Sequence, residues 1–188
     1  MHNNVKTLLA TTALFFSSQM VAPNAIANSG CSFDEASQGF IATCSEEKKE
    51  VIITGIVTTE TLAKDLPGYS DEYQNYATDA AQIDILKTIS EPTNIVVIIG
   101  TWCPDCHRET PRFMRLIEAA ANPNLTVTYI GVDRSKLDPQ GLAAQYDFSR
   151  IPTFIVEQKG KEIGRIVERP QVTLEADLVN ILQESPSE

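Results

Sequence analysis

The sequence is poor in positive charge. Its 188 residues include 15 lysines and arginines against 25 aspartates and glutamates, which gives a formal net charge of −10 at pH 7. Nucleic acids and anionic membranes attract basic surfaces, so this balance argues against either as the main partner. Internal repeats and low-complexity segments are also absent from the sequence. The composition is that of a globular protein whose partner the charge alone does not identify.

Long hydrophobic runs are missing after residue 27. A membrane-spanning helix needs about 20 consecutive apolar residues, and we therefore expect no stable membrane insertion. Before that point, Lys6 supplies a positive charge, residues 8–16 form a short apolar core, and residues 25–27 (Ala-Ile-Ala) offer a small-residue cleavage site. This pattern predicts a signal peptide at residues 1–27 and an exported, soluble product. An uncleaved anchor or a disordered tail is the alternative.

Histidine is scarce, which bears on metal binding. The chain has two histidines, and His107 is the only one after residue 27. The four cysteines lie in two pairs, Cys31 with Cys44 and Cys103 with Cys106. A closed metal site uses four ligands, so neither pair forms one alone and we predict no bound metal. Soft thiolates do select Cu(I), which leaves transient copper binding open.

The first cysteine pair lies in a polar segment, residues 28–49, which we interpret as an N-terminal extension. Export makes stable disulfides possible, so Cys31 and Cys44 are predicted to form a structural disulfide. Closing a loop of this length stabilises a fold by roughly 3 kcal/mol in the chain-entropy model. A second redox pair and half of a metal site are the alternatives that the sequence leaves open.

The remaining pattern predicts one α/β domain over residues 50–184, because segments of strand-like and helix-like apolar spacing alternate along the chain. Strands are predicted at residues 51–58, 95–99 and 125–132 and in a hairpin at 153–157 and 162–167. Helices are predicted at residues 71–89, 103–121, 139–146 and 173–183, the last with Thr173 as its N-cap. Residues 185–188 are predicted to be a loose tail.

The most informative motif, Trp102-Cys103-Pro104-Asp105-Cys106, follows the predicted strand at 95–99. A strand that turns directly into a helix places Cys103 at the helix N-terminus, where unpaired N–H groups and the helix dipole favour the thiolate. Cys106, one turn along, can attack a mixed disulfide and release the product. We therefore predict Cys103 as the nucleophile at an exposed helix end and Cys106 as the more buried resolving thiol. A structural disulfide is the alternative for any cysteine pair in an exported chain.

The residues beside the two cysteines modify this chemistry. Pro104 suits the first helical turn, because its missing N–H costs no hydrogen bond there. The charge of Asp105 stabilises the helix start but opposes a nearby thiolate. His107 and Arg108 could offset that charge if their side chains turn toward the sulfur, and a solvent-facing position on the helix surface is the alternative for His107. We expect a moderately lowered pKa for Cys103 and a fairly reducing couple.

Over roughly residues 50–184 the chain resembles the thioredoxin superfamily. The resemblance rests on the motif at 102–106, on Pro111, which lies five residues after the second cysteine and should kink the helix, and on Ile151-Pro152-Thr153, which resembles the family's cis-proline segment. It implies a thioredoxin-like fold of the α/β class, with a central mixed β-sheet flanked by helices. It also implies a redox-active disulfide between the two motif cysteines and no other cofactor.

The resemblance also implies where a substrate binds. A cis bond before Pro152 leaves the backbone of Ile151 available to pair with an extended substrate, and a trans proline that opens a strand is the alternative. Trp102 is interpreted as an apolar platform for the incoming peptide, with shielding of the strand edge as the alternative. Pro104, at the helix start, completes the predicted substrate-binding set.

The run from Cys106 to Pro111 is similar to the Cys-x-x-Glu-x-Pro of exported TlpA/ResA-type reductases, with Glu109 as the acid. The stretch from Pro111 to Ile151 is short for the insert that is typical of that group. Plain thioredoxins have a buried acid beneath the motif. This chain has Val97 at the matching position and lacks that aid to deprotonating Cys106.

These observations predict a periplasmic thiol–disulfide oxidoreductase. We expect it to reduce cysteine pairs in other exported proteins. Because a reductase in an oxidising compartment must itself be reduced, we also expect an upstream membrane thiol reductant. A disulfide oxidase or isomerase on the same fold is one alternative, and a non-catalytic copper-site assembly chaperone is the other.

Overall fold

The computed structural model describes residues 32–36, 39–44 and 50–184, with side chains from Val51 onward. The predicted signal peptide at residues 1–27, Cys31 and the predicted tail at residues 185–188 lie outside these ranges. Within the ranges, no helix has both the length and the apolar character needed to cross a membrane.

The described residues form one mixed β-sheet of seven strands. The strands are β1 (Ser32–Ala36), β2 (Gly39–Cys44), β3 (Glu50–Val57), β4 (Thr93–Ile99), β5 (Leu125–Gly131), β6 (Thr153–Gln158) and β7 (Lys161–Val167). Their order across the sheet is β1-β2-β3-β5-β4-β6-β7. The β4–β5 pair is parallel, and the other neighbours are antiparallel.

Helices flank the sheet, which confirms the α/β fold predicted from the sequence. They are α1 (Thr59–Asp65), α2 (Tyr69–Asn75), α3 (Ala80–Lys87), α4 (Pro104–Ala120) and α5 (Leu174–Glu184). The N-cap prediction for α5 is confirmed, because the Thr173 hydroxyl accepts from the N–H of Ala176 at 3.1 Å. Helix α1 was not predicted, and the Thr58 hydroxyl caps its start.

Two helix predictions are wrong. The single helix expected at residues 71–89 is divided into α2 and α3, because the Asp79 carboxylate accepts from the N–H groups of Ala81 and Gln82 and starts a new helix there. The helix expected at 139–146 is a single 3-10 turn at Ala143–Gln145. Gly141 has a φ of +67° just before it, which interrupts a right-handed helix.

The N-terminal extension contributes strands rather than the polar leader that the sequence suggested. β2 pairs with β3 over Glu50–Thr54, whereas β5 pairs with β3 over Gly55–Val57. The backbone of β3 therefore has different partners along its length. Cys44 ends β2, and the predicted disulfide from Cys44 to Cys31 stays a prediction because Cys31 lies outside the described residues.

The central strand β4 brings the functional motifs together. Its apolar side chains are buried on both faces of the sheet, as expected for a strand covered by helices on each side. β4 leads into the turn at residues 100–103 and then into α4, which carries the motif. Its antiparallel partner β6 begins directly after Pro152, and Ile98 pairs with Thr153. The cysteine pair and the proline segment therefore lie side by side at one end of the sheet.

Candidate active site

The turn between β4 and α4 is attached to β3 by a buried threonine. Thr101 is 1% exposed, and its hydroxyl donates to the carbonyl oxygen of Val51 at 2.6 Å and accepts from the N–H of Ile53 at 3.2 Å. The preceding Gly100 is closely surrounded, because a Cβ there would lie 2.8 Å from Ile151 Cδ1 and from the Trp102 ring. These contacts fix the turn that presents the cysteines.

Cys103 is the N-cap residue of α4, with φ −94° and ψ 120°. Its side chain is 8% exposed, less than the open helix end that the sequence predicted. The reason is the proline segment, since Cys103 Sγ lies 3.4 Å from the carbonyl oxygen of Ile151. The pKa of Cys103 is lowered to about 6. The hydrogen bond from the Cys106 thiol is the largest cause, backbone N–H groups add to it, and burial and the charge of Asp105 oppose it.

Cys106 lies one helical turn further and is 0% exposed. Its Sγ accepts from the N–H of Gly100 at 3.3 Å. Burial raises the pKa of Cys106 far above that of an ordinary thiol, and the hydrogen bond it makes to Cys103 raises it further. The two thiols therefore differ strongly in acidity, and Cys103 is the more acidic of the two.

Trp102 is half-buried, and its indole is held by a hydrogen bond and by a cation over the ring. The Nε1–H donates to the carbonyl oxygen of Val132 at 3.2 Å, and the guanidinium of Arg134 lies 5.2 Å from the ring centroid. The indole thus packs against the segment after β5, beside Cys103 in the chain. Pro104, the first residue of α4, is exposed.

The Ile151–Pro152 peptide bond is cis. Both residues are buried, and β6 starts at the next residue. The carbonyl oxygen of Pro152 accepts from the N–H of Glu168 at 2.7 Å. The carbonyl oxygen of Ile151, which the sequence analysis expected to be available to a substrate, is in contact with Cys103 Sγ.

The charged residues at the start of α4 are arranged differently from the expectation. His107 does not turn toward the sulfur, because its Nε2 lies 2.5 Å from the carbonyl oxygen of Thr101. Arg108 contacts the Asp105 carboxylate at 3.5 Å and the buried Glu109 carboxylate at 2.6 Å. The closest partner of Asp105 is Arg169, at 2.8 and 3.0 Å.

Arg169 carries no signal in the sequence that links it to the cysteine motif. It lies 64 residues after Asp105, and no local pattern links the two. Among the residues that the structure describes, no cluster of three or more histidine, cysteine, aspartate or glutamate side chains could hold a metal ion.

Comparison with known proteins agrees with this geometry. A family model described as thioredoxin (Thioredoxin_9) matches residues 57–180. A thioredoxin-like protein, R548 of Acanthamoeba polyphaga mimivirus, is 29% identical over 103 residues, which cover 53% of this chain and 72% of that protein. A thioredoxin of Chlamydia trachomatis is 31% identical over 87 residues, covering 46% and 79%.

A solved structure supports the fold. It is a protein of unknown function, PA1234 from Pseudomonas aeruginosa, and it superposes with a TM-score of 0.53 at 20% identity over 66% of this chain and 87% of its own. The family match covers more than half of the chain, so the protein belongs to the thioredoxin-like family. Membership in this family indicates thiol–disulfide redox chemistry.

Proposed function

We propose that the protein is an exported thiol–disulfide oxidoreductase that reduces cysteine pairs in other exported proteins, with Cys103 as nucleophile and Cys106 as resolving thiol. The observation that carries the proposal is the difference between the two sulfurs. Cys103 has a pKa lowered to about 6, whereas Cys106 is fully buried with a raised pKa. A nucleophile must be ionised, and a resolving thiol must stay protonated until it is needed.

The reaction starts when the Cys103 thiolate attacks one sulfur of a substrate disulfide. The substrate S–S bond breaks, its other sulfur leaves as a thiolate that takes a proton, and a mixed disulfide joins Cys103 to the substrate. Cys103 then no longer carries the charge that opposes ionisation of Cys106, and the Gly100 N–H supports a thiolate there. Cys106 loses its proton and attacks Cys103 Sγ. The bond between Cys103 and the substrate breaks, and the substrate sulfur leaves as a thiolate that takes a proton. The substrate is thereby reduced to a dithiol with two electrons from the Cys103 and Cys106 thiols, which are oxidised to a disulfide.

The substrate segment is proposed to bind across Trp102, Pro104, Ile151 and Pro152. Trp102 offers an immobilised aromatic surface, and Pro104 is exposed beside it. The carbonyl oxygen of Ile151 becomes available when the Cys103 thiol that contacts it is deprotonated or enters a disulfide. An extended peptide can then pair with this backbone group.

Reduction is the proposed direction. A pKa of about 6 for Cys103 is close to the ~7 of thioredoxin and well above the ~3.5 of the strong oxidant DsbA. A reduction potential near −270 mV would support a reductase, whereas one near −120 mV would indicate an oxidase. The apolar core at residues 8–16 supports export to the periplasm, where the protein would need a membrane thiol reductant as its electron donor.

Insulin reduction by the wild type and by Cys103→Ser tests the proposed activity. We expect turnover by the wild type and none by the variant, and equal turnover would refute the enzymatic role. Cys106→Ala should trap a mixed disulfide with the natural substrate, because the resolving thiol is gone. The trapped adduct should disappear in Cys103→Ser/Cys106→Ala. An adduct that persists in this double variant would exclude Cys103 as its attachment point.

A further inference from the structure

The segment after β7 connects both halves of the candidate active site. The backbone N–H of Glu168 donates to the carbonyl oxygen of Pro152 at 2.7 Å. The next side chain, Arg169, donates to Asp105 Oδ1 through Nε at 3.0 Å and through Nη2 at 2.8 Å. One dipeptide therefore contacts the cis-proline segment with its backbone and the first turn of α4 with its side chain.

The backbone of this dipeptide is held in an unusual conformation. Glu168 has a φ of +60°, in the left-handed region that residues with a Cβ rarely adopt. The N–H of Arg169 bonds back to the carbonyl oxygen of Val167 at 2.7 Å, which makes a tight turn. Pro170 follows and restricts the backbone of Arg169 to extended conformations. A residue adopts such a backbone conformation only when the surrounding contacts impose it. Here those contacts fix the backbone position from which the Arg169 side chain extends.

The target of Arg169 lies between the two cysteines. The Asp105 charge raises the pKa of both thiols, so it acts against the ionised nucleophile. Arg108 also contacts Asp105, but at 3.5 Å and while bound more closely to Glu109. Among the described residues, Arg169 is thus the closest cation to the acid whose charge opposes the thiolate.

We propose that Arg169 is a positioning residue of the redox site, which acts through Asp105 to keep Cys103 ionised and thereby sets the reduction potential. By binding Oδ1 with two N–H groups, Arg169 orients the Asp105 carboxylate and offsets its charge. This inference rests on the proposed function, since it concerns how that function's nucleophile is tuned.

Other charged groups near this end of α4 have to be controlled in the test. On the helix they are Asp105, His107, Arg108 and Glu109; on the facing segments they are Arg134, Arg150, Glu168 and Arg169. Arg150 offers a matched control. It pairs with Glu168 at 2.8 Å and is 65% exposed, against 63% for Arg169, but it does not contact Asp105.

The experiment measures the rate of Cys103 alkylation by iodoacetamide against pH in the reduced protein. The reagent is neutral, so the rate follows the thiolate fraction rather than the surface charge. In Arg169→Gln we expect the midpoint to rise and the rate at pH 6 to fall roughly twofold, with no change at high pH where the thiol is fully ionised in both proteins. Arg150→Gln should keep the wild-type midpoint.

Asp105→Asn separates the route through Asp105 from a direct effect of the arginine. This variant should lower the midpoint, and Arg169→Gln should add little in its background, because the charge that Arg169 offsets is gone. Arg169→Lys should restore part of the shift, since it keeps the charge but loses the paired N–H groups. In equilibrium with glutathione, Arg169→Gln should favour the disulfide form by about threefold, as a less stabilised thiolate makes the couple more reducing.

The inference is wrong if Arg169→Gln and Arg150→Gln give the same alkylation midpoint as the wild type. It is also wrong if Arg169→Gln shifts the alkylation midpoint by the same amount in the wild-type background and in the Asp105→Asn background. Both results differ from a failure of the proposed function, which would appear as an ordinary thiol midpoint and absent turnover in the wild type itself.

Discussion

The Thr101 hydroxyl provides a test of how the turn at residues 100–103, which precedes the cysteine motif helix, is attached to the sheet. β3 lies between β2 and β5, and β5 pairs with it only over Gly55–Val57. Beyond the end of that pairing, the Thr101 hydroxyl bonds the backbone of Val51 and Ile53. Thr101→Val keeps the shape of the side chain and removes both hydrogen bonds. The position is buried, so the two backbone groups lose their partner in a place that water reaches poorly.

The magnitude follows from these two backbone groups. An unsatisfied buried donor or acceptor costs about 1–3 kcal/mol. The bond from the Ile53 N–H is buried, whereas the bond to the Val51 carbonyl is partly buried and water can replace part of it. We therefore expect Thr101→Val to lower the free energy of unfolding by about 2–4 kcal/mol.

Urea unfolding of the reduced protein measures this difference. The midpoint should fall while the m-value stays unchanged, because the same surface is exposed on unfolding. Thr126→Val in β5 is the control, since this exposed side chain makes one hydrogen bond, to the carbonyl oxygen of Thr93 at 3.2 Å. We expect the control to change stability by about 0.5 kcal/mol or less. A Thr101→Val protein as stable as the control would refute the role given to the hydroxyl.

Two further predictions concern the cysteines. The folded pKa of Cys103, about 6, lies below the ordinary thiol value of about 8.5. The resulting stabilisation is complete above the unfolded value and is lost as the pH falls toward 6, so the free energy of unfolding should rise with pH across this window by up to about 1.4 kcal/mol per unit. Urea unfolding of the reduced wild type and of Cys103→Ser measures the free energy of unfolding at each pH. The same pH dependence in both proteins would contradict the lowered pKa of Cys103. Cys31 and Cys44 are predicted to form a disulfide, since their neighbours Ser32 and Thr43 pair across β1 and β2. Peptide mapping without reductant should find this disulfide. Its loss in Cys31→Ser/Cys44→Ser should lower the free energy of unfolding by roughly 3 kcal/mol. Two free thiols at these positions in the wild type would refute the prediction.

The parts of the site that are contiguous in sequence could be predicted from sequence. The apolar run at 95–99 predicted a buried strand, and a motif directly after it must occupy a strand-to-helix turn. This gave the position of Cys103 at the start of α4. Contacts between distant segments could not be predicted in the same way, because the partner depends on the assembled sheet. Two such contacts are the hydrogen bonds of Thr101 to β3 and of Arg169 to Asp105.

The wrong element boundaries have local physical causes. Apolar spacing continues through residues 71–89, so periodicity alone predicts one helix, but the Asp79 side chain competes for backbone N–H groups and divides it. The strands β1 and β2 lie in a segment with few long apolar runs. β2 pairs with β3 on the side opposite β5, so this pairing depends on the edge of the assembled sheet rather than on apolar periodicity within the segment.

The claim on which the account depends is that Cys103 is ionised at neutral pH. Thiolate ultraviolet absorbance of the reduced protein, titrated against Cys103→Ser, tests it directly. We expect one thiol that titrates near pH 6 in the wild type and whose titration is lost in the variant. If the first thiol titrates near pH ~8.5, as in an unperturbed cysteine, the assignment of Cys103 as the nucleophile is contradicted.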